Sequence, residues 1–249
     1  MHIHLKELII TKIPAFQGKA ASNNRLILKT LAIEGPLIKY DIYKVLKPVG
    51  VKHYPTISRR VDDLRGRGYL ETAGTRQIRV GKRIEESSTY DLTLRGIVAC
   101  LAIEDVRKNV FAFLERSPLL ERLLPKSSYE QIILDVVNEL FNQNELETIS
   151  RALLEGFLRA IPENIELLKE EEYIAYIIPA IIKSPKIWDR LAPKDLSKLF
   201  QIEGLPEWLF RIIDDFEAQL TQTLRAIQPI KTQLYEYMKS TKRIKLVED

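Results

Sequence analysis

HYPTISRRVDDLRGRGYLETAG, residues 53–74, is the stretch whose reading decides the fold. Tyr54, Ile57, Val61 and Leu64 recur at steps of three and four, which makes one apolar stripe along a helix. Pro55 suits the first turn, where its missing N–H is no loss. Thr56, Arg59 and Asp63 project roughly opposite the stripe, with Arg60 and Arg67 on its flank. Gly66 and Gly68 are expected to end the helix by admitting left-handed backbone geometry. Tyr69, Leu70 and Glu71 then read as short and extended.

Downstream, TAGTRQIRVGKRIEESSTYDLT (72–93) alternates apolar and polar residues at Ile78, Val80 and Ile84, and again at Tyr90 and Leu92. This predicts a two-stranded hairpin whose near arm and tip carry Arg76, Arg79, Lys82 and Arg83. Upstream, SNNRLILKTLAIEG (22–35) predicts a helix capped by Ser22 and Asn23 and stopped by Gly35-Pro36. LIKYDIYKVL (37–46) places Leu37, Ile38, Ile42, Val45 and Leu46 at short helical spacings, and Lys47-Pro48 closes it. Three helices followed by a hairpin predict a winged helix-turn-helix domain over residues 22–97.

Three segments, GPLIKYDIYKVL (35–46), YPTISRRVDDLRGRGYLE (54–71) and YDLTLRG (90–96), resemble the matching parts of winged-helix transcription regulators of the PadR-like group. The shared features are a glycine-proline entry to the second helix, a tyrosine-led third helix and a tyrosine-leucine-threonine exit from the wing. The resemblance covers roughly residues 22–97 and implies a DNA-binding fold with a role in transcription. The long basic hairpin and the large carboxy-terminal part depart from a minimal protein of that group.

Charge points the same way. Residues 1–100 hold 18 Lys and Arg against 9 Asp and Glu, a net of +9, while residues 101–249 hold 20 against 25, a net of −5; together they give the chain's +4. A basic amino-terminal part joined to an acidic remainder suits a polyanionic partner. Hydrophobic residues make up 45% and charged residues 29%, the balance of an ordinary globular protein. No apolar run reaches the ~18 residues of a membrane span. The first residues lack a signal-peptide pattern, with Lys6 and Glu7 where an apolar centre would lie, and Cys100 is the only cysteine. The cytoplasm is the expected compartment, with no membrane partner.

Beyond the hairpin the pattern is helical. Thr93 caps LRGIVACLAIEDVRKNVFAFLER (94–116), which reads as one helix of about six turns. Further helical segments follow to PEWLFRIIDDFEAQLTQTLRAIQPIKTQLYEYMK (206–239), with Pro179 and Pro229 bending helices rather than ending them. The expected architecture is mainly α. An amino-terminal extension (1–21) and a winged helix-turn-helix domain (22–97) precede an all-helical dimerisation or effector domain (98–249). The helix from Leu94 and the final helix (206–239) are expected to join a homodimer, and the acidic helices are the expected place for a small-molecule or protein effector. Tyr173, Tyr176, Trp188, Trp208, Phe210 and Phe216 read as core.

Little of the sequence suggests chemistry. His2 and His4 lack the acidic or thiol companions of a metal site. Asp62-Asp63, Glu85-Glu86 and Asp214-Asp215 are adjacent pairs that diverge on a helix. There is no glycine-rich phosphate loop or nucleophile elbow. The chain is expected to be no enzyme and to need no cofactor. Its expected function is sequence-specific binding of double-stranded DNA as a transcription regulator. Lys52, His53, Thr56, Arg59, Arg60 and Arg67 are expected contacts from the third helix, and Arg76, Arg79, Lys82 and Arg83 from the wing. Arginine suits guanine because its parallel donors match O6 and N7, whereas wing cations more often meet phosphates. The alternative is a winged-helix protein-interaction module in a nucleic-acid-associated complex. Single-strand or RNA binding is disfavoured by the lack of a strand face with stacked aromatics.

Overall fold

The computed structural model describes residues 4–80, 83–116, 130–191, 194, 197 and 205–240. It is mainly helical with one small sheet. The chain divides into two compact units, Met1–Asp195 and Leu196–Asp249.

The first unit begins with α1 (Leu5–Lys12) and a 3₁₀ turn, Pro14–Phe16. Leu8, Ile9, Ile13, Ala15 and Phe16 are all buried, so the segment expected as an extension is part of the core. Asn24, on α2 (Ala21–Glu34), is buried beside it and donates from Nδ2 to the Ala15 carbonyl at 2.8 Å. Ser22 and Asn23 therefore lie inside the first turn of α2 and do not cap it. Leu37 and Ile38 form β1 (Leu37–Ile38) rather than opening a helix, and α3 (Lys39–Leu46) follows.

The decisive stretch forms α4 (Tyr54–Gly66), with Ile57, Val61 and Leu64 completely buried. Each such side chain contributes on the order of 1.5–3 kcal/mol through removal of apolar surface from water. Tyr54 departs from this stripe: it is 38% exposed and meets Tyr40 and Tyr43 edge-on, at centroid distances of 5.9 and 5.8 Å. Gly66 is helical. The left-handed residue is Gly68 (φ +74), where an added Cβ would lie 2.8 Å from Arg95 Nη1.

The hairpin pairs β2 (Leu70–Val80) with β3 (Arg83–Leu92), in register from Leu70 opposite Leu92 to Val80 opposite Arg83. A slip between Thr72 and Gly74 marks a bulge. β1 adds to β3 antiparallel, Leu37 opposite Tyr90, giving the order β1-β3-β2.

The helix expected over residues 94–116 is three helices: α5 (Leu94–Leu101), α6 (Glu104–Arg107) and α7 (Val110–Arg116). Thr93 caps α5 as expected, its Oγ1 accepting from Gly96 N at 3.1 Å. The break follows from Arg107, which turns back and donates from Nη1 to the Leu101 carbonyl at 2.6 Å, satisfying the end of α5. Every α5 residue except Arg95 is buried within the chain's own core, so α5 offers no apolar face to a second subunit.

Then come α8 (Glu130–Leu140), α9 (Gln143–Ala160), α10 (Glu170–Ile182) and α11 (Pro185–Leu191). Asn142 and Glu145 form a capping box at the start of α9. α10 continues through Pro179. Tyr173 is buried and stacks on Phe157 with centroids 5.8 Å apart. One continuous core joins α1 to α10, passing without interruption across residues 97 and 98.

The second unit holds α12 (Leu205–Ser240), 36 residues that continue through Pro229. Phe210, Leu224, Ile227, Ile230, Leu234 and Tyr237 are exposed on it. Phe210 is thus not core, and the side chains of Trp188, Trp208 and Phe216 lie outside the described residues. No described helix is long and apolar enough to cross a membrane.

Candidate nucleic-acid interface

Burial of Ile57, Val61 and Leu64 fixes the rotation of α4 and sends Arg59 to its outer side. Arg59 is exposed and, among the described residues, makes no hydrogen bond or ion pair. Its acidic neighbours are occupied. Asp62 accepts from Lys39 Nζ at 2.6 and 2.7 Å, and Asp63 faces Arg60 at 3.5 Å and Arg67 at 3.7 Å. Lys39, which periodicity did not single out, therefore neutralises a carboxylate beside Arg59. Thr56, Lys52 and His53 are exposed at the start of α4. Arg65, absent from the expected set, is exposed in the last turn, where a cation suits the helix dipole.

Arg67 has a different setting. Its Nη2 is 2.5 Å from Glu166 Oε1, which also accepts from Tyr69 Oη at 2.7 Å. Ala15 N donates to the same Tyr69 oxygen at 3.3 Å. Burial alone would lower the Arg67 pKa, but the hydrogen bond and charge of Glu166 carry it above its ordinary value. Burial, and then Glu166, push the Tyr69 phenol well above its ordinary value. Arg95 extends the network, bonding to the Arg67 and Leu168 carbonyls and to Tyr173 Oη. These contacts tie the end of α4 to the chain around residues 165–173. Arg67 is a partner of Glu166 rather than an open cation.

The hairpin separates its cations. Side chains alternate along a strand, so Arg76 and Arg83 share one face and Arg79 lies on the other. Arg76 Nη1 is 3.2 Å from Asp41 on α3. Arg79 and Arg83 are exposed, and Lys82 lies outside the described residues. Glu85 and Glu86 stand on the two faces as well, so residues 70–92 carry four basic and four acidic side chains. Only the tip is basic.

Around the α3–α4 connection, Tyr40 is exposed beside Tyr54 and Val49 is exposed as well, with Lys44 Nζ 4.7 Å from the Tyr40 ring centre. Among the described residues, no group of three or more His, Cys, Asp and Glu is placed to hold a metal ion; His4 is exposed and His2 lies outside the described residues. Cys100 is buried, and burial pushes its thiol well above the ordinary range. No protein-family model, curated protein or solved structure matches the chain.

Proposed function

We propose that this protein is a sequence-specific double-stranded DNA-binding transcription regulator with a winged helix-turn-helix at its amino-terminal end. The observation that carries the reading is Arg59: an exposed arginine, unpaired among the described residues, opposite the buried stripe of a 13-residue helix, with a long basic-tipped hairpin after it. At 1.5 Å per residue that helix is about 20 Å long, and a helix fits the major groove, which is about 12 Å wide. The resemblance to the PadR-like group supports the same reading. In it Arg59 reads a base edge, Thr56 and Arg60 contact the groove margin, Lys52 and His53 meet phosphate, and the tip residues Arg79, Lys82 and Arg83 meet the backbone. Arg76 joins them on release from Asp41. The acidic helices act in dimerisation or effector sensing, and the protein works in the cytoplasm as a homodimer through α12. Two subunits would place recognition helices about 34–36 Å apart on a palindromic site.

The test selects bound duplexes from a random pool, then compares the selected and a scrambled duplex for wild type and Arg59→Ala across a salt series. Arg59→Ala is expected to cost about 1–3 kcal/mol on the selected site and much less on the scrambled one. Replacing Arg83 should weaken both alike and lower the salt slope by about one unit. Equal losses for Arg59→Ala on both duplexes would remove its base-reading role. The exposed Tyr40, Tyr54 and Val49 favour a second reading, a protein-docking module. Negligible duplex binding by the full chain at low salt would select it.

A further inference from the structure

A cleft of about 890 Å³ opens among α1, α2, α6 and α9, remote in sequence from the hairpin and α4. Arg107 lines it and is only 8% exposed. Its Nη1 is used on the Leu101 carbonyl, but its Nε is buried with no acceptor, and among the described residues no carboxylate forms an ion pair with it. A buried guanidinium with no carboxylate in ion-pair contact is costly, and an anion in the cleft that meets its exposed part, rather than the sealed Nε, relieves some of that cost.

The surroundings favour such an anion. Arg151, Arg25 and Lys6 also line the cleft, against two carboxylates, Glu104 and Glu147, and Glu104 is held by Lys108 at 2.6 Å. Burial and then Arg151 hold the Arg107 pKa below its ordinary value, with Glu147 and Glu104 acting the other way. Apart from His4, the remaining wall is apolar and includes Leu5, Ile9, Ile10 and Ile103. A bare inorganic ion would leave that wall unused.

We infer that this cleft binds a small organic oxyanion, a carboxylate or phosphate ester with a short apolar body, whose head group meets Arg107 and Arg151. Arginine's forked donors match both head groups. The inference does not depend on DNA binding.

Isothermal titration of the full chain with octanoate, octyl phosphate and neutral octanamide tests it. At least one anion is expected to bind at a single site, with octanamide about tenfold weaker or more, because hydrogen bonds to charged groups are among the stronger ones. Arg151→Gln, an exposed position whose replacement leaves the core untouched, is expected to weaken the anion about tenfold. Arg107→Met should abolish binding, with circular dichroism checking that the loss of its bond to Leu101 has not unfolded the protein. Equal affinity for octanamide, unchanged affinity in Arg151→Gln, or no binding of either anion up to about 10 mM overturns the inference.

Discussion

Removing the Tyr69 hydroxyl tests whether the polar network behind α4 holds the fold. Tyr69 is fully buried, and its oxygen donates to Glu166 at 2.7 Å while accepting from Ala15 N at 3.3 Å. Tyr69→Phe keeps the ring and its packing, so the cost comes from the two hydrogen bonds. A bond to a charged acceptor contributes about 1.5–3 kcal/mol, and a buried N–H left without an acceptor costs about 1–3 kcal/mol. The Ala15 contact is long and belongs at the lower end, so Tyr69→Phe is expected to destabilise by about 2–4 kcal/mol. Denaturant midpoints at pH 7 measure it. Glu166→Gln and the double variant complete a cycle, in which coupling of about 1–2 kcal/mol is expected because both residues share one bond. The phenol's pKa is raised on folding from its ordinary 10.0, so its contribution is fully present below pH 10 and lost as pH rises beyond it. Tyr69→Phe should lack that part of the alkaline loss. A cost below about 0.5 kcal/mol, or strict additivity with Glu166→Gln, would refute the reasoning.

Gly96→Ala should be among the most damaging single substitutions, because its Cβ would sit 2.2 Å from the Tyr69 carbonyl oxygen. About 3 kcal/mol or more is expected from overpacking against backbone, read as a fall in the thermal midpoint. Cys100 should react with a thiol reagent only on unfolding. Its folded pKa is also raised, from 9.0, so Cys100→Ser should remove an alkaline loss of stability that begins about one unit below that of Tyr69. Light scattering should give twice the chain mass for the wild type, and Ile227→Glu with Leu234→Glu should restore the single mass, since both positions are exposed and apolar on α12. A single mass for the wild type at every concentration sinks the dimer.

The parts legible in sequence were those written in local period. Ile57, Val61 and Leu64 announced α4, the alternation through Ile78 and Ile84 announced the hairpin, and Thr93 announced a cap. Pro179 left its helix intact, as expected. The misses were non-local. Residues 94–116 have a continuous helical pattern, and nothing nearby shows that Arg107 will turn back onto the Leu101 carbonyl and divide it. Tyr54 fits the apolar period of α4, but it stands at the first turn, where Tyr40 and Tyr43 draw it to the surface. The Leu5–Lys12 segment is short, and its burial depends on a surface that other helices build.

Arg67 shows why charge type alone does not locate an interface. By sequence it is one more cation on the flank of a basic helix, equivalent to Arg60. What separates them is Glu166, 99 residues away, which meets Arg67 and Tyr69 together. An arginine so held is worth more to the fold than to a partner, since moving it to a phosphate would strip Glu166 of one of its two donors. Arg59 is the converse, because Lys39, Arg60 and Arg67 already occupy the nearby aspartates and leave it without an ion pair among the described residues. The internal ion pairs on α4 thus do two things at once: they anchor the end of the helix and silence its acids. Among the described residues, Arg59 is the open cation opposite the buried stripe, and Arg65 is a second exposed one in the last turn.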